Sequence, residues 1–367
     1  MLTSNRCKER FDPKLTPQQT NFLVVEGLIN ANGFTNITLR RTVPLKDTAR
    51  LKAETNAQVS IVADNNTNYP VKEVGNGAYR SDSLILNINQ KYRLHIKTKS
   101  GGEYLSEYVS VKKTPSIDNV SWELKNDGVQ IYVNTHDPSN NSRYYKWEYE
   151  ETWEIHSAFL SEYVYNKTTN TVTSRPYDER SGLFYCWQNH NSTDILVGSS
   201  AQLTNDVISR QPLLFIPKSS VKTSVRYSIL VKQYAMDKQS YDFYELMKKA
   251  TESLGSIFDS QPSEFAGNIV CTSNAKERVI GFVSAATIEQ KRIFLTPADM
   301  NGSTYRQNCE EVLVRNNPDS FRAAYAGEGY LPYAALFMGR NITHYYSSAA
   351  DCIDCRLRGT NVKPSFW

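Results

Sequence analysis

The sequence predicts a mainly β protein: a small N-terminal β-sandwich followed by a larger β-rich domain with a few helices. Three observations carry this. A stretch alternating with period two turns at Gly101-Gly102 and alternates again to Val111. A second pair of strand-like runs flanks Asn126-Asp127-Gly128. Glycine-centred reversals between alternating segments mark hairpins. Only one convincing segment has the apolar spacing of a helix.

Taken in order, residues 1–20 read as a tether. Lys8-Glu9-Arg10-Phe11-Asp12-Pro13-Lys14-Leu15-Thr16-Pro17 is charged, broken by proline and without period. Phe22 to Ile29 is a short apolar run that ends near Asn32-Gly33, a strand and a turn. Ile37–Arg41 and Gln58–Val62 read as further strands, the second stopped by Asp64-Asn65-Asn66. In Tyr92–Thr98 the Tyr, Leu, Ile and Thr side chains share one face and the basic residues the other. Residues 21–113 therefore read as one sandwich domain, and Thr114-Pro115-Ser116 as a linker into a second domain spanning 114–367.

In that second domain, Tyr144–Ile155 is a long aromatic and acidic strand, 164–182 is polar and loop-like, and Ser224–Tyr234 is a strand. A helix is expected over 240–254, where Phe243, Leu246, Met247, Ala250 and Leu254 line one face. Asp237 or Ser240 is placed to cap its start and Gly255 to end it. Arg278–Val283 reads as another strand, and the tail from Asp351 as irregular.

Composition excludes some classes. The chain has 367 residues, 40% of them hydrophobic, and a net charge of +4 spread without basic clusters. Nucleic acid is thus not an expected partner. No run approaches the roughly 18 apolar residues of a membrane-spanning helix. Tyrosine is abundant at 23 residues, a residue that suits both strands and contact surfaces.

Two segments invite a chemical reading. On a strand, Trp147, Tyr149, Glu151 and Trp153 face one way, and Glu148, Glu150, Thr152 and Glu154 the other. The second face is either a carboxylate ladder for acid–base work or a solvated acidic surface, and the surface reading is preferred because a glycosidase or metal site needs further partners. Cys352-Ile353-Asp354-Cys355 has the spacing of redox motifs and zinc half-sites, but no second ligand pair follows a zinc pattern. A structural disulfide role is expected instead, with Cys309, Cys352 and Cys355 the candidates. Six cysteines are present; if Cys7 carries lipid, at most two disulfides form and one thiol stays free, with the connectivity open. The five histidines are isolated, and no nucleotide, hydrolase or metalloprotease motif occurs. No catalytic residue, metal or cofactor is expected.

The chain resembles a lipoprotein family of Bacteroidota, the domain-of-unknown-function family 4249. The pieces that carry the resemblance are Cys7 with Phe11-Asp12-Pro13, Leu23–Gly27, Gly77-Ala78-Tyr79, Tyr145–Trp153, Tyr227–Tyr234, Gly255–Pro262, Gly267-Asn268-Ile269 and Cys352–Arg356. The resemblance implies a lipid anchor on Cys7, an immunoglobulin-like N-terminal domain and association with TonB-dependent outer-membrane transporters, and it supplies no catalytic residues. Lys8-Glu9, then Asp12, looks like the charged signal that sends such lipoproteins to the cell surface. The resulting expectation is a surface-exposed accessory or lid-like subunit of a TonB-dependent transporter, without enzymatic activity. The alternatives are a subunit of another outer-membrane machine, for barrel assembly or secretion, and a secreted hydrolase built on the 148–154 carboxylates. The main partner interface is expected after residue 115, with Tyr145, Trp147, Tyr149 and Trp153 as candidate contacts.

Overall fold

The computed structural model describes residues 21–43, 52–252, 267–300, 302–327 and 329–367. The tether, the proposed anchor Cys7, and the segment around Gly255 lie outside the described residues. The fold is mainly β, with several sheets and few helices. It divides into two compact units, one running to Lys113 and resuming over Met236–Ile288, the other formed by Thr114–Ala235 and Glu289–Trp367. The chain thus leaves the first unit where the linker was expected. The C-terminal part is not one contiguous domain, however, because 236–288 return to the first unit. Strands of two or three residues make the return, too short to show a period in the sequence.

In the first unit one hydrogen-bonded path runs through ten strands. The returning segment enters it twice: Val279–Ile280 adds in parallel to Leu23–Gly27, and Ala285–Ala286 lies between Ile29–Asn30 and Val109–Lys112. Ile269–Cys271 pairs separately with Glu103–Ser106. The alternation read from the sequence is realised. Tyr92, Leu94 and Ile96 are buried with Val59 and Ile61 opposite them. Lys97 pairs with Glu103 across the Gly101-Gly102 turn, where Gly101 takes φ +89°, a conformation that costs side-chain-bearing residues. Buried Arg41 is fully engaged, donating to Glu54 at 2.6 Å, Glu277 at 2.7 Å and Tyr104 Oη at 2.9 Å. The expected helix is Lys238–Glu252. Asp237 caps it, its carboxylate accepting Ser240 N–H at 2.8 Å, and Phe243 packs on Phe282 with ring centroids 5.6 Å apart. No described helix is long and apolar enough to cross a membrane.

The second unit is sandwich-like. One sheet orders Ile117–Lys125, Gly128–Asp137 and Asp206–Pro217; the other orders Tyr185–Asn191, Tyr144–His156, Arg226–Met236 and Ile288–Leu295, with Leu196–Ser199 also on Tyr144–His156. The hairpin at Asn126-Asp127-Gly128 forms as read, Leu124 pairing with Val129. Between the sheets Trp147 is fully buried. Its indole donates to Gln233 Oε1 at 2.9 Å, and the Gln233 amide donates to Thr135 and to the Pro115 carbonyl. Gly198 makes room, since a Cβ there would lie 2.9 Å from the Trp147 ring.

A smaller sheet of Val312–Arg315, Asn341–Ala349 and Tyr330–Met338 completes this unit. Helix Pro318–Tyr325 packs beside it, capped by Asn317, whose side chain accepts Ser320 N–H at 2.8 Å. The segment 164–182, expected as loop, instead holds a hairpin, Tyr163–Asn166 with Thr171–Ser174, and the start of helix Tyr177–Phe184. Tyr163, Tyr165 and Val172 pack on the cluster of Phe321, Tyr325 and Tyr345. That support comes from far along the chain, so no local signal announces it.

Candidate functional site

The aromatic and acidic strand Tyr144–His156 is central in its sheet, and its alternation separates two environments. Tyr145, Trp147, Tyr149 and Trp153 are 0%, 0%, 4% and 7% exposed. The expectation that they contact a partner is therefore overturned: they are core, and a partner reaches them only if the sandwich opens. Tyrosine and tryptophan serve cores as well as interfaces, and alternation alone does not say which.

Glu151 lies on this inner face and is 1% exposed. Lys222 Nζ donates to both carboxylate oxygens at 2.7 Å, Tyr227 Oη donates at 2.8 Å, and His190 Nδ1 lies 3.2 Å away. The Lys222 ammonium also sits 4.9 Å from the centre of the Trp153 ring. Burial, and then the Glu151 charge, push the Tyr227 phenol well above its ordinary pKa, so it stays a neutral donor. The same two causes push Tyr149 up to about 12. A buried carboxylate is tolerable only when paired and hydrogen-bonded, and Glu151 has both.

On the outer face Glu148 accepts from Lys146 Nζ at 2.7 Å and from the Tyr234 hydroxyl at 2.6 Å. Burial works to raise the Glu148 carboxyl, but the charge and hydrogen bond of Lys146, the Tyr234 hydroxyl and the Lys232 charge together outweigh it and hold it below the usual range. Glu150 pairs with Lys232. Glu154 receives Trp367 Nε1 at 3.1 Å and meets His156 Nε2 at 2.7 Å. The face is thus half-covered rather than simply solvated. Among the described residues no three His, Cys, Asp or Glu side chains are grouped to hold a metal.

The two cysteines of Cys352-Ile353-Asp354-Cys355 go to different partners. Cys352 bonds Cys309, and Cys355 bonds Cys186. Cys309, Cys352 and Cys355 are placed as expected, while the role of Cys186 was not read from the sequence. Cys271 is free and buried.

The disulfide-pinned tail folds back over the outer face. Thr360 exchanges backbone hydrogen bonds with Trp187. A cleft of about 410 Å³ opens there, with Glu154, Tyr185, Trp187, Arg226, Asn361 and Trp367 among its walls. No sequence signal points to it, since its residues come from four separate segments. Glu151 was legible in principle: a carboxylate at an inward position of an alternating strand demands a cation, and Lys222 and Tyr227 are polar residues beside or within the neighbouring strand.

A largely β chain of two units, with two disulfides inside the second and its acidic strand held in ion pairs, is the class defined by this geometry. The model of the family described as Domain of unknown function (DUF4249) matches residues 8–292, and the chain belongs to that family. No curated protein matches the chain. Among solved structures, the chitinase ChiA74 from Bacillus thuringiensis aligns at 8% identity and TM-score 0.16, over 55% of this chain and 29% of that one. The BSP domain of a biofilm-associated protein aligns at 9% identity and TM-score 0.14, over 81% of this chain and 63% of that one. Neither likeness is strong enough to carry weight.

Proposed function

We propose that the protein is an exported, lipid-anchored subunit that works by binding, as an accessory or lid-like partner of an outer-membrane β-barrel transporter of the TonB-dependent kind. The observation that supports binding over chemistry is the state of the acidic strand: Glu148, Glu150, Glu151 and Glu154 are each held by a cation, a hydroxyl or an indole of the fold. A hydrolase built on them would have to break those contacts first. The disulfides Cys186–Cys355 and Cys309–Cys352 support export, because such bonds persist in oxidising compartments. The resemblance read from the sequence motifs implies the outer-membrane setting and Cys7 as the anchor, and the proposal rests on that implication.

With the strand aromatics in the core, partner contact falls to exposed apolar side chains of the second unit. Trp122 and Leu124 lie on an edge strand, and Phe337 and Met338 at a hairpin tip. Such anchors dominate interface energetics, and a lipid tether raises the effective concentration of a membrane partner. Membrane fractionation of Cys7→Ser tests the reading. The variant is expected in the soluble fraction, with the barrel lost from its pull-down. A variant that remains membrane-bound at normal levels, with no lipid on Cys7 of the wild type, contradicts it.

A further inference from the structure

The cleft beside the acidic strand is lined by donors that have nothing to donate to. Arg226 lies in the corner of two rings that meet edge to face, its guanidinium carbon 4.4 Å from the centre of Phe294 and 5.1 Å from that of Trp367. Among the described residues, no hydrogen bond or ion pair engages it. Trp187 is 8% exposed, and its Nε1 is buried without an acceptor among the described residues. Lys363 also lines the cleft, exposed and likewise without a partner among them. The one side-chain carboxylate in the lining, Glu154, is committed to His156 and to the Trp367 indole rather than to Arg226 or Lys363.

Buried donors are nearly always satisfied in folded proteins, and an exception calls for an explanation, of which a bound acceptor is one. Rings packed beside a guanidinium hold it in place and take water from part of its surface, leaving its planar fork for an oxyanion. A planar carboxylate matches that fork with two parallel hydrogen bonds. The remaining walls are of two kinds. Tyr185 offers a ring that is 44% exposed, while Ser181 and Asn361 offer a hydroxyl and an amide whose nitrogen is tied to the Gly182 carbonyl at 3.0 Å. Aromatic faces suit the C–H face of a pyranose, and hydroxyl and amide groups suit its hydroxyls. The volume lies within the usual span of small-ligand sites. A bare phosphate would leave the aromatic walls unused, and a neutral sugar would leave Arg226 without its anion.

We propose that this cleft binds an acidic saccharide, a uronate residue whose carboxylate is taken by Arg226 and Lys363 and whose ring lies against the aromatic wall. The inference is independent of the transporter reading, because none of Trp122, Leu124, Phe337 and Met338 lines the cleft.

Tryptophan fluorescence of the full chain, titrated with trigalacturonate at fixed ionic strength, tests it. The expected result is a saturable change, with a neutral galactose trisaccharide and inorganic phosphate each binding at least about tenfold more weakly. Arg226→Gln is expected to weaken trigalacturonate by about tenfold or more, as loss of a bidentate carboxylate contact does. Lys363→Gln, an exposed change that leaves the fold intact, is expected to weaken it by about threefold, and thermal unfolding confirms that both variants fold. The proposal is overturned if trigalacturonate gives no saturable change, if the neutral sugar or phosphate binds as tightly, or if both folded variants bind like the wild type.

Discussion

Glu150 and Glu151 are neighbours in the chain and opposites in the fold. Glu150 points to the outer face, where its side chain is 41% exposed and pairs with Lys232. Glu151 points inward, is 1% exposed, and has Lys222, Tyr227 and His190 around it. The same chemical group is a surface ion pair at one position and the centre of a buried polar cluster one residue later. Strand geometry makes this difference, because successive side chains leave on opposite faces. An acidic run in a sequence is therefore two populations of carboxylate, and only one of them matters greatly to the fold.

The largest expected effect separates the two directly. Glu151→Ala leaves a half-buried lysine and a buried phenol without their acceptor and is expected to destabilise the protein by about 3 kcal/mol. Glu150→Ala breaks a solvent-screened pair and is expected to cost about 0.5 kcal/mol or less. Urea unfolding of both variants at pH 7 checks the pair; equal losses would show that the inner cluster is not special.

A carboxylate held by neutral donors sharpens the contrast. Asp137 ends the strand Gly128–Asp137, at the turn that leads into the acidic strand. Burial works to raise its carboxyl, but the Ser139 hydroxyl and the N–H groups of Ser139, Ser142 and Asn141 outweigh it and hold it at about 2. A carboxyl lowered on folding stabilises the native state above its unfolded value near 3.8, and that contribution disappears as pH falls through about 2. Asp137→Asn is thus expected to be less stable than the wild type by about 1 kcal/mol at pH 7. The gap should close between about pH 4 and about pH 2. A gap that stays constant down to that lower limit would place the effect in packing rather than in charge.

Much of this was legible in the sequence wherever the deciding contacts are local. The Gly101-Gly102 and Asn126-Asp127-Gly128 hairpins, the two faces of the acidic strand, and the helix capped by Asp237 all follow from spacing and turn chemistry within a dozen residues. What was not legible depends on distant partners. The return of 279–280 and 285–286 to the first unit, and the packing of the 163–174 hairpin on Phe321 and Tyr345, are long-range contacts of short segments. The misplacement of Tyr145, Trp147, Tyr149 and Trp153 has a different cause. Periodicity identified their shared face correctly, but which face is covered depends on the sheet opposite, built from Gly128–Asp137 and Asp206–Pro217. The cleft needs Arg226, Trp187 and a tail pinned by Cys355 to Cys186, a combination that no window of the sequence contains.

A variant expected to change little is also the most direct test of the central claim, that the protein acts by binding while its acidic strand serves the fold. Wild type and the Glu148→Gln/Glu150→Gln double variant are affinity-purified from solubilised outer membrane, and the co-purifying β-barrel protein is quantified against the bait. The account predicts the barrel in comparable yield with both, and a double variant less stable by about 1 kcal/mol at most, since exposed changes shift stability little. Absence of a barrel from the wild-type preparation, or a hydrolytic activity of the wild type that disappears in the folded double variant, would contradict it.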